Sequence, residues 1–443
     1  MSQSFKFKHY KRKCYIRSMK SYVLLCGLLF SLTVSAQRKV ERWIDENKAL
    51  QGAQVSVSVF DLKKQKFKLT YRSDKNILPA STIKLFTFLG AYQTFGDELP
   101  LLHYLKENNR IYFWSSGHPL IGHPKYKSAT ALNFLKKQKD SLFFIPRPIT
   151  SPTQGKGWAW DDERFSYSAK KSSFPIHGNL IEIISDPNTG VLKVTPSFFK
   201  DSISYSRKNS AYDVKVNDFK YKISAKKADS LYVPFDPSTA TTLRFLENEI
   251  KKPIYIGIKS DINNEDYKSL FDISDEVYKS LLYESNNQVA ESLLLMISGT
   301  LQWDFNTEAG IEFIKNKNRD LAVGISQVDG SGLSRYNLIT PEVLVEVLNK
   351  IYSSLGDAGI KKYFAQLNKD GTLKKYVEEK KQAFKVYAKS GSLRNNHILA
   401  GFIYSKSNRP YAFVISVNNY RSGKQAIQNT ITHKLKGLYD KLR

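Results

Sequence analysis

Three short stretches of this chain set hydroxyls beside lysines. In ILPASTIKLFTFLGAY, residues 77–92, Ser81 stands three residues before Lys84 at the head of an apolar run. On a helix that spacing places both side chains on one face. Ser81 falls at the N-terminus, where free backbone N–H groups and the helix dipole favour developing negative charge. A Lys84 amine that had lost its own proton, through burial or a neighbouring cation, could take the proton of the hydroxyl. Ser-x-x-Lys also starts at Ser168, Ser197 and Ser224, and a solvated surface pair explains any single copy; only Ser81 opens an apolar helix.

The second stretch is Tyr283-Glu-Ser285-Asn286-Asn287, between two helical runs and ending four residues before Glu291. Helix capping explains Ser and Asn at such a break, and Ser-x-Asn recurs at Ser416. The third is Lys389-Ser390-Gly391-Ser392, on a predicted strand, where the glycine lets a ligand or another backbone approach closely. Lys-[Ser/Thr]-Gly occurs once. An exposed edge lysine beside a bulge is its ordinary explanation. Each motif is weak alone, but together they fall in the order Ser-x-x-Lys, Ser-x-Asn, Lys-[Ser/Thr]-Gly on the element types that serine acylation needs.

The elements that must position them lie at the two ends of the chain. Val55–Leu62 and Lys66–Tyr71 alternate with period two across a short polar turn and read as a hairpin. Ser81–Tyr92 reads as a buried helix after Pro79. Phe384–Ser390, Ile398–Ser405 and Tyr411–Val417 read as strands, the last two joined at Asn408-Arg409-Pro410, and Lys424–Leu442 as an amphipathic helix. Two N-terminal and three C-terminal strands would complete one five-stranded antiparallel sheet flanked by helices, an α/β (α+β) domain of residues 37–95 plus 271–443. Residues 96–270, rich in Lys, Ser, Tyr and Phe with turns such as Asp186-Pro-Asn-Thr-Gly190, read as one or two mainly β inserted domains.

The first 36 residues read as a leader. From Met19, a plausible true start, the chain has a basic beginning, about a dozen apolar residues and Val34-Ser35-Ala36 before Gln37, which is a secretory signal peptide too short to span a bilayer. Cys26 lacks a lipid-attachment context, because Leu24 and Leu25 precede it where a small residue is wanted. Both cysteines, Cys14 and Cys26, lie in the leader, so the exported chain has neither disulfide nor thiol chemistry. The leader holds seven of the 68 basic residues and none of the 41 acidic ones, which leaves 61 against 41, or +20, after cleavage. That charge suits an anionic envelope polymer and leaves peripheral membrane association open. With no arginine-rich arm, zinc finger or RNA-binding signature, a nucleic-acid partner is not expected.

On the three ordered motifs the chain resembles the D-alanyl-D-alanine carboxypeptidase/endopeptidases of the penicillin-binding protein 4 type, over nearly all of the exported chain. The 204 residues from Ser81 to Ser285 fit the large insertions of that family. Asp329-Gly-Ser-Gly-Leu-Ser-Arg335, Gly157-Trp-Ala-Trp-Asp-Asp162 and Leu399-Ala-Gly-Phe402 are similar to its recognisable segments. The resemblance implies a β-lactamase/transpeptidase-like domain split by the inserted domains. It also implies a periplasmic enzyme acting on peptidoglycan stem peptides, with β-lactam antibiotics as covalent inhibitors. Ser81 would be the nucleophile, Lys84 the general base, and Ser285 the proton relay. Asn287 would hold Lys84 and the substrate amide. Lys389 and Ser390 would bind the terminal carboxylate or tune Lys84. The N–H groups of Ser81 and Ser392, across Gly391, would form the oxyanion hole. Asp162, Tyr167 and Arg335 would meet the diamino-acid side chain of the stem peptide. No cofactor or metal is implied, and His118 and His123 lack the further clustered ligands of a metal site.

Two other readings share these motifs. A class A β-lactamase would need a deacylating Glu-x-x-Leu-Asn loop, which is absent between the first two motifs. A non-catalytic wall-binding protein would keep the pocket without turnover. The run Arg394-Asn395-Asn396-His397 departs from the family's usual glycine- and arginine-bearing sequence, which bears on side-chain preference.

Overall fold

The computed structural model describes residues 37–442 apart from 124, 127, 128, 217, 263–265 and 378–383; the expected leader, 1–36, lies outside the described residues. The ends of the chain meet in one antiparallel sheet. Its strands are β1 (Gln54–Asp61), β2 (Lys66–Tyr71), β3 (Ala365–Gln366), β4 (Lys385–Leu393), β5 (Asn396–Tyr404) and β6 (Pro410–Asn418), in the spatial order β3-β4-β5-β6-β1-β2. The expected sheet had five strands. The sixth, β3, is a two-residue edge strand pairing Ala365 with Ala388 and Gln366 with Tyr387, too short to show a period. The sheet closes between first and last strands in sequence, with Gln54 opposite Asn418 and Asp61 opposite Tyr411.

Both faces of this sheet are covered. Along β5, Ile398, Ala400, Phe402 and Tyr404 point into one core, and Leu399 and Ile403 into the other. Strands buried on both faces read as continuous apolar runs, as β5 and β6 do. On the first side pack helices α1 (Lys84–Phe95), α2 (Asp275–Leu282), α3 (Asn287–Gly299) and α4 (Pro341–Tyr363). On the other lie the helical residues 37–45 and α5 (Lys424–Tyr439), which bury Val40, Trp43, Ile427, Ile431 and Leu435 against Val55, Val57 and Val59 of β1. Each large apolar side chain so buried contributes about 1.5–3 kcal/mol. Ser56 and Ser58, the polar half of the β1 alternation, are buried too, beneath α4, where small side chains permit close helix-to-sheet packing.

Between α1 and α2 the chain builds a five-stranded mixed sheet in the order Ile254–Ile256, Ser141–Phe144, Arg110–Ser115, Glu98–Glu107 and Lys268–Ile273. Two three-stranded antiparallel sheets accompany it, formed from Leu180–Ser185, Leu192–Thr195 and Asp229–Pro234, and from Ile203–Lys208, Ala211–Val216 and Phe219–Ser224. Asp186–Gly190 is the turn of one hairpin, its Asp186 carboxylate accepting from the Asn188 N–H at 2.9 Å. A separate apolar core, with Phe113, Phe144, Ile183, Val214 and Phe245, holds these sheets together.

Candidate active site

Ser81 is delivered by a turn rather than by the first turn of an α-helix. Ala80–Ile83 is a 3₁₀-turn and the α-helix begins at Lys84, where the expected helix began at Ser81. The change favours the pair, because side chains at i and i+3 eclipse with three residues per turn. Lys84 Nζ lies 3.0 Å from Ser81 Oγ and donates to Asn287 Oδ1 at 2.6 Å. It also donates to the carbonyl of Ser331. Lys84 has no exposed surface, and burial lowers its pKa to about 7, opposed by the acids Asp329 and Glu291. At neutral pH a substantial fraction is therefore the free amine that a general base requires.

Asn286, not Ser285 or Asn287, caps α3, its side chain accepting from the Val289 N–H at 3.2 Å. Ser285 precedes it at φ 62°, and Asn287 follows in the first turn. Capping by the middle residue leaves both flanking side chains for the site. Asn287 reaches Lys84, and its Nδ2 donates to the Tyr167 carbonyl at 2.8 Å. Ser285 Oγ accepts from Lys389 Nζ at 2.7 Å, and Lys389 donates to the Ser390 carbonyl at 2.6 Å.

Lys389 is fully buried, and its pKa falls well below the ordinary lysine value, first through burial and then through the charge of Lys84. The sequence left burial or a neighbouring cation as the cause of a depressed lysine. Burial is the larger cause for both.

Strand β4 presses on the turn that carries the nucleophile. A Cβ added to Gly391 would lie 2.5 Å from the Pro79 carbonyl oxygen and 3.1 Å from Thr82 N. The glycine therefore admits another backbone, one of the two reasons expected for it. Gly391→Ala is expected to push β4 off the Ser81 turn. Fluorescent-penicillin labelling should fall by at least about tenfold and the thermal midpoint by several degrees, since overpacking costs about 1–3 kcal/mol.

The remaining predicted residues divide. Tyr167 donates to Asp162 Oδ1 at 2.7 Å, and through its carbonyl this pair joins Asn287. Ser392 Oγ pairs with His397 Nδ1 at 2.8 Å, and His397 Nε2 with Tyr376 OH at 2.6 Å, so the departing residue His397 is a buried support for β4. Ser390 is half-buried beside Lys389. Arg335 is exposed and has no ion pair among the described residues. His118 is buried with Nε2 unpartnered, and no cluster of three metal-ligating side chains occurs among the described residues.

Two participants carried no stated role in the sequence. One is the Ser331 carbonyl, a backbone group that accepts from both Lys84 Nζ and, at 3.3 Å, Ser81 Oγ. The other is Glu291, whose Oε1 accepts from the N–H groups of Gly330 at 3.0 Å and Ser331 at 2.8 Å. That carboxylate fixes the N–H side of Ser331, whose carbonyl meets Lys84. Glu291 is 1% exposed, Oε2 has no partner, and burial raises its pKa to about 7. Its signal was a lone acid inside an apolar helix, four residues and one turn beyond Asn287. Asp329 fastens the other side of the loop, accepting from Gly332 N at 2.9 Å, Ser334 N at 2.8 Å and Trp158 Nε1 at 2.9 Å. Gly332, at φ 80°, packs so close that a Cβ would meet the Ala80 carbonyl oxygen at 2.0 Å.

A buried hydroxyl–amine–amide chain of this kind, with a second lysine–serine pair beside it, suits acyl transfer through a serine ester. Known proteins share the arrangement's frame. The chain is similar to the D-alanyl-D-alanine carboxypeptidase DacB of Haemophilus influenzae, at 24% identity over 90% of this chain and 92% of the relative. It is similar to the D-alanyl-D-alanine carboxypeptidase of Actinomadura sp. (strain R39), at 24% identity over 88% of this chain and 82% of that one. The crystal structure of penicillin binding protein 4 (dacB) from Haemophilus influenzae superposes with a TM-score of 0.69 at 19% identity, covering 90% of this chain and 99% of that one. A predatory endopeptidase from Bdellovibrio bacteriovorus gives 0.52 at 18%, covering 88% and 93%. The transpeptidase-like fold that the family resemblance implied is therefore the fold observed. The profile of one family matches residues 36–111 and 273–442, the two chain segments that make the central sheet and its helices. The chain belongs to the D-Ala-D-Ala carboxypeptidase 3 (S13) family.

Proposed function

We propose that this chain is an exported serine D-Ala-D-Ala carboxypeptidase/endopeptidase that processes peptidoglycan stem peptides through an acyl-enzyme on Ser81. The observation that carries the reading is the direct Lys84–Ser81 contact at 3.0 Å, with Lys84 buried and its pKa near neutrality. Neutral Lys84 takes the Ser81 proton as Oγ attacks the carbonyl carbon of the penultimate D-alanine. The N–H groups of Ser81 and Ser392 receive the oxyanion. The tetrahedral intermediate collapses by breaking the C–N bond, and Ser285 passes a proton to the leaving amine. The Lys84 ammonium formed in the first step returns its proton to Ser285, which leaves Lys84 neutral, while Lys389 holds the Ser285 hydroxyl in place. Water then attacks the ester with neutral Lys84 again as base, and Lys84 passes that proton to Ser81 Oγ as the ester C–O bond breaks, which restores both groups.

Lys389 and Ser390 hold the terminal carboxylate, whose negative charge favours the ammonium form of Lys389. Asp162, Tyr167 and Arg335 line the place for the diamino-acid side chain of the stem peptide. β-Lactam antibiotics acylate the same hydroxyl. The leader directs the chain to the periplasm, and no helix among the described residues is long and apolar enough to cross a membrane.

Digestion of purified peptidoglycan, followed by mass analysis of the muropeptides, tests the activity. Loss of one D-alanine mass indicates trimming, and conversion of dimers to monomers indicates cross-link cutting. Unchanged muropeptides after prolonged incubation with labelling-competent enzyme would overturn the reading.

A further inference from the structure

Away from the catalytic pocket, a cleft of about 960 Å³ opens in the intervening β region. Arg164, Lys208, Lys215, Lys220 and Lys222 line it, all exposed, and Asp213 is the one acid among its described lining residues. Asp213 bridges Lys208 at 3.5 Å. Lys215 and Lys220 stand directly opposite one another on paired strands, and neither has an acid within ion-pair distance among the described residues. Like charges facing across a strand pair are destabilising. Their placement costs the fold something and creates a concentrated positive field in a concave site.

The cleft is tied to the catalytic wall. Arg164 donates from Nη2 to the Lys220 carbonyl at 3.3 Å, and its own carbonyl accepts from Tyr221 OH at 3.0 Å. The Arg164 guanidinium sits 5.6 Å from the centre of the Tyr221 ring and 5.4 Å from that of Phe165. Phe165 stacks on Tyr167, both rings exposed, and the Tyr167 carbonyl accepts from Asn287. Tyr167 follows Arg164 by three positions, at most about 11 Å of chain. A strip of aromatic and basic surface therefore runs from Asn287 to the cleft without a break in the chain.

We propose that this cleft is a second binding site for the wall polymer. It would hold a carboxylate-bearing stretch of peptidoglycan that lies beyond the peptide being cut, so that polymer and small substrates are handled differently. The proposal rests on the peptidase reading above. Its ligand chemistry is a string of carboxylates on a sugar–peptide chain, which lysines hold by charge and exposed rings by stacking on sugar faces.

The test is the charge-reversed chain Lys215→Glu/Lys220→Glu/Lys222→Glu. A companion, Lys220→Glu alone, sets opposite charges across the strand pair and safeguards folding. Fluorescent-penicillin acylation and release of D-alanine from a soluble pentapeptide should stay within about twofold of the unaltered chain. Digestion of intact sacculi at low salt should slow by about tenfold or more. In a Ser81→Ala background, cosedimentation with purified peptidoglycan should weaken in step, most at low ionic strength. Unchanged sacculus digestion and cosedimentation would overturn the proposal. So would loss of binding only to phosphatidylglycerol vesicles, which would assign the cleft to a membrane surface. Failure of the unaltered chain to react with penicillin would instead remove the peptidase reading on which the proposal stands.

Discussion

Replacing Lys84 with methionine is expected to slow acylation of Ser81 by about 10²–10⁴-fold, the range over which positioned general bases act. Methionine nearly matches the buried volume and keeps the packing of α1, so the loss reports on the amine rather than on the fold. The unaltered chain should show a rate that rises with pH through about 7 and then levels, because only the neutral amine accepts the proton. The methionine variant should lose that limb.

The same shift leaves a mark on stability. The folded Lys84 pKa of about 7 lies below its ordinary value of 10.5. Between those values the unfolded chain binds a proton that the folded chain does not, so the contribution to stability rises with pH across that window. Compared with Lys84→Met, the unaltered chain should gain thermal midpoint from pH 7 to pH 9. Paired melting curves read this difference directly, with all other titrating groups held in common.

Glu291 carries the second large effect, and two substitutions separate its roles. Glu291→Ala removes the acceptor of the Gly330 and Ser331 N–H groups, both buried. Each orphaned group costs about 1–3 kcal/mol, and the loop relaxes away from Lys84. Acylation should fall by about tenfold to a hundredfold at every pH. Glu291→Gln keeps a carbonyl oxygen for those donors and removes the charge. Glu291 and Asp329 act together to raise the Lys84 pKa, against burial, while Lys171 is the charged group that favours ionised Glu291. With the Glu291 charge gone, the acid limb of the acylation profile should move below pH 7 while the plateau stays near that of the unaltered chain. A Gln variant that behaves like Ala would make Glu291 a packing residue only.

What could be read from sequence followed from what is local. The hairpin of β1 and β2, the strands β4 to β6 and the helix α5 each announce themselves within a dozen residues by period and turn chemistry. Ser81 and Lys84 belong to one turn, so their contact followed from spacing alone. Order in space was harder. β6 joins first and last parts of the chain, and no local pattern says that Asp61 meets Tyr411. The two-residue β3 is defined by pairing and not by composition.

The same division runs through the site. Side chains with chemistry stood out, whereas the Ser331 carbonyl belongs to any residue and acquires its role only when Gly332 lets the loop touch the Ala80 backbone. The cap on α3 shows how fine the distinction is. Sequence allowed Ser285, Asn286 or Asn287 to cap, and the structure gives that duty to Asn286, which leaves its two neighbours to face the lysines.

The account stands on Ser81 being the atom that forms the ester. Incubation with a labelled penicillin, proteolysis and peptide mass spectrometry locate the adduct. The predicted result is one penicilloyl group on the peptide containing Ser81, absent in Ser81→Ala; an adduct on Ser285 or elsewhere, or none on the folded chain, would contradict it.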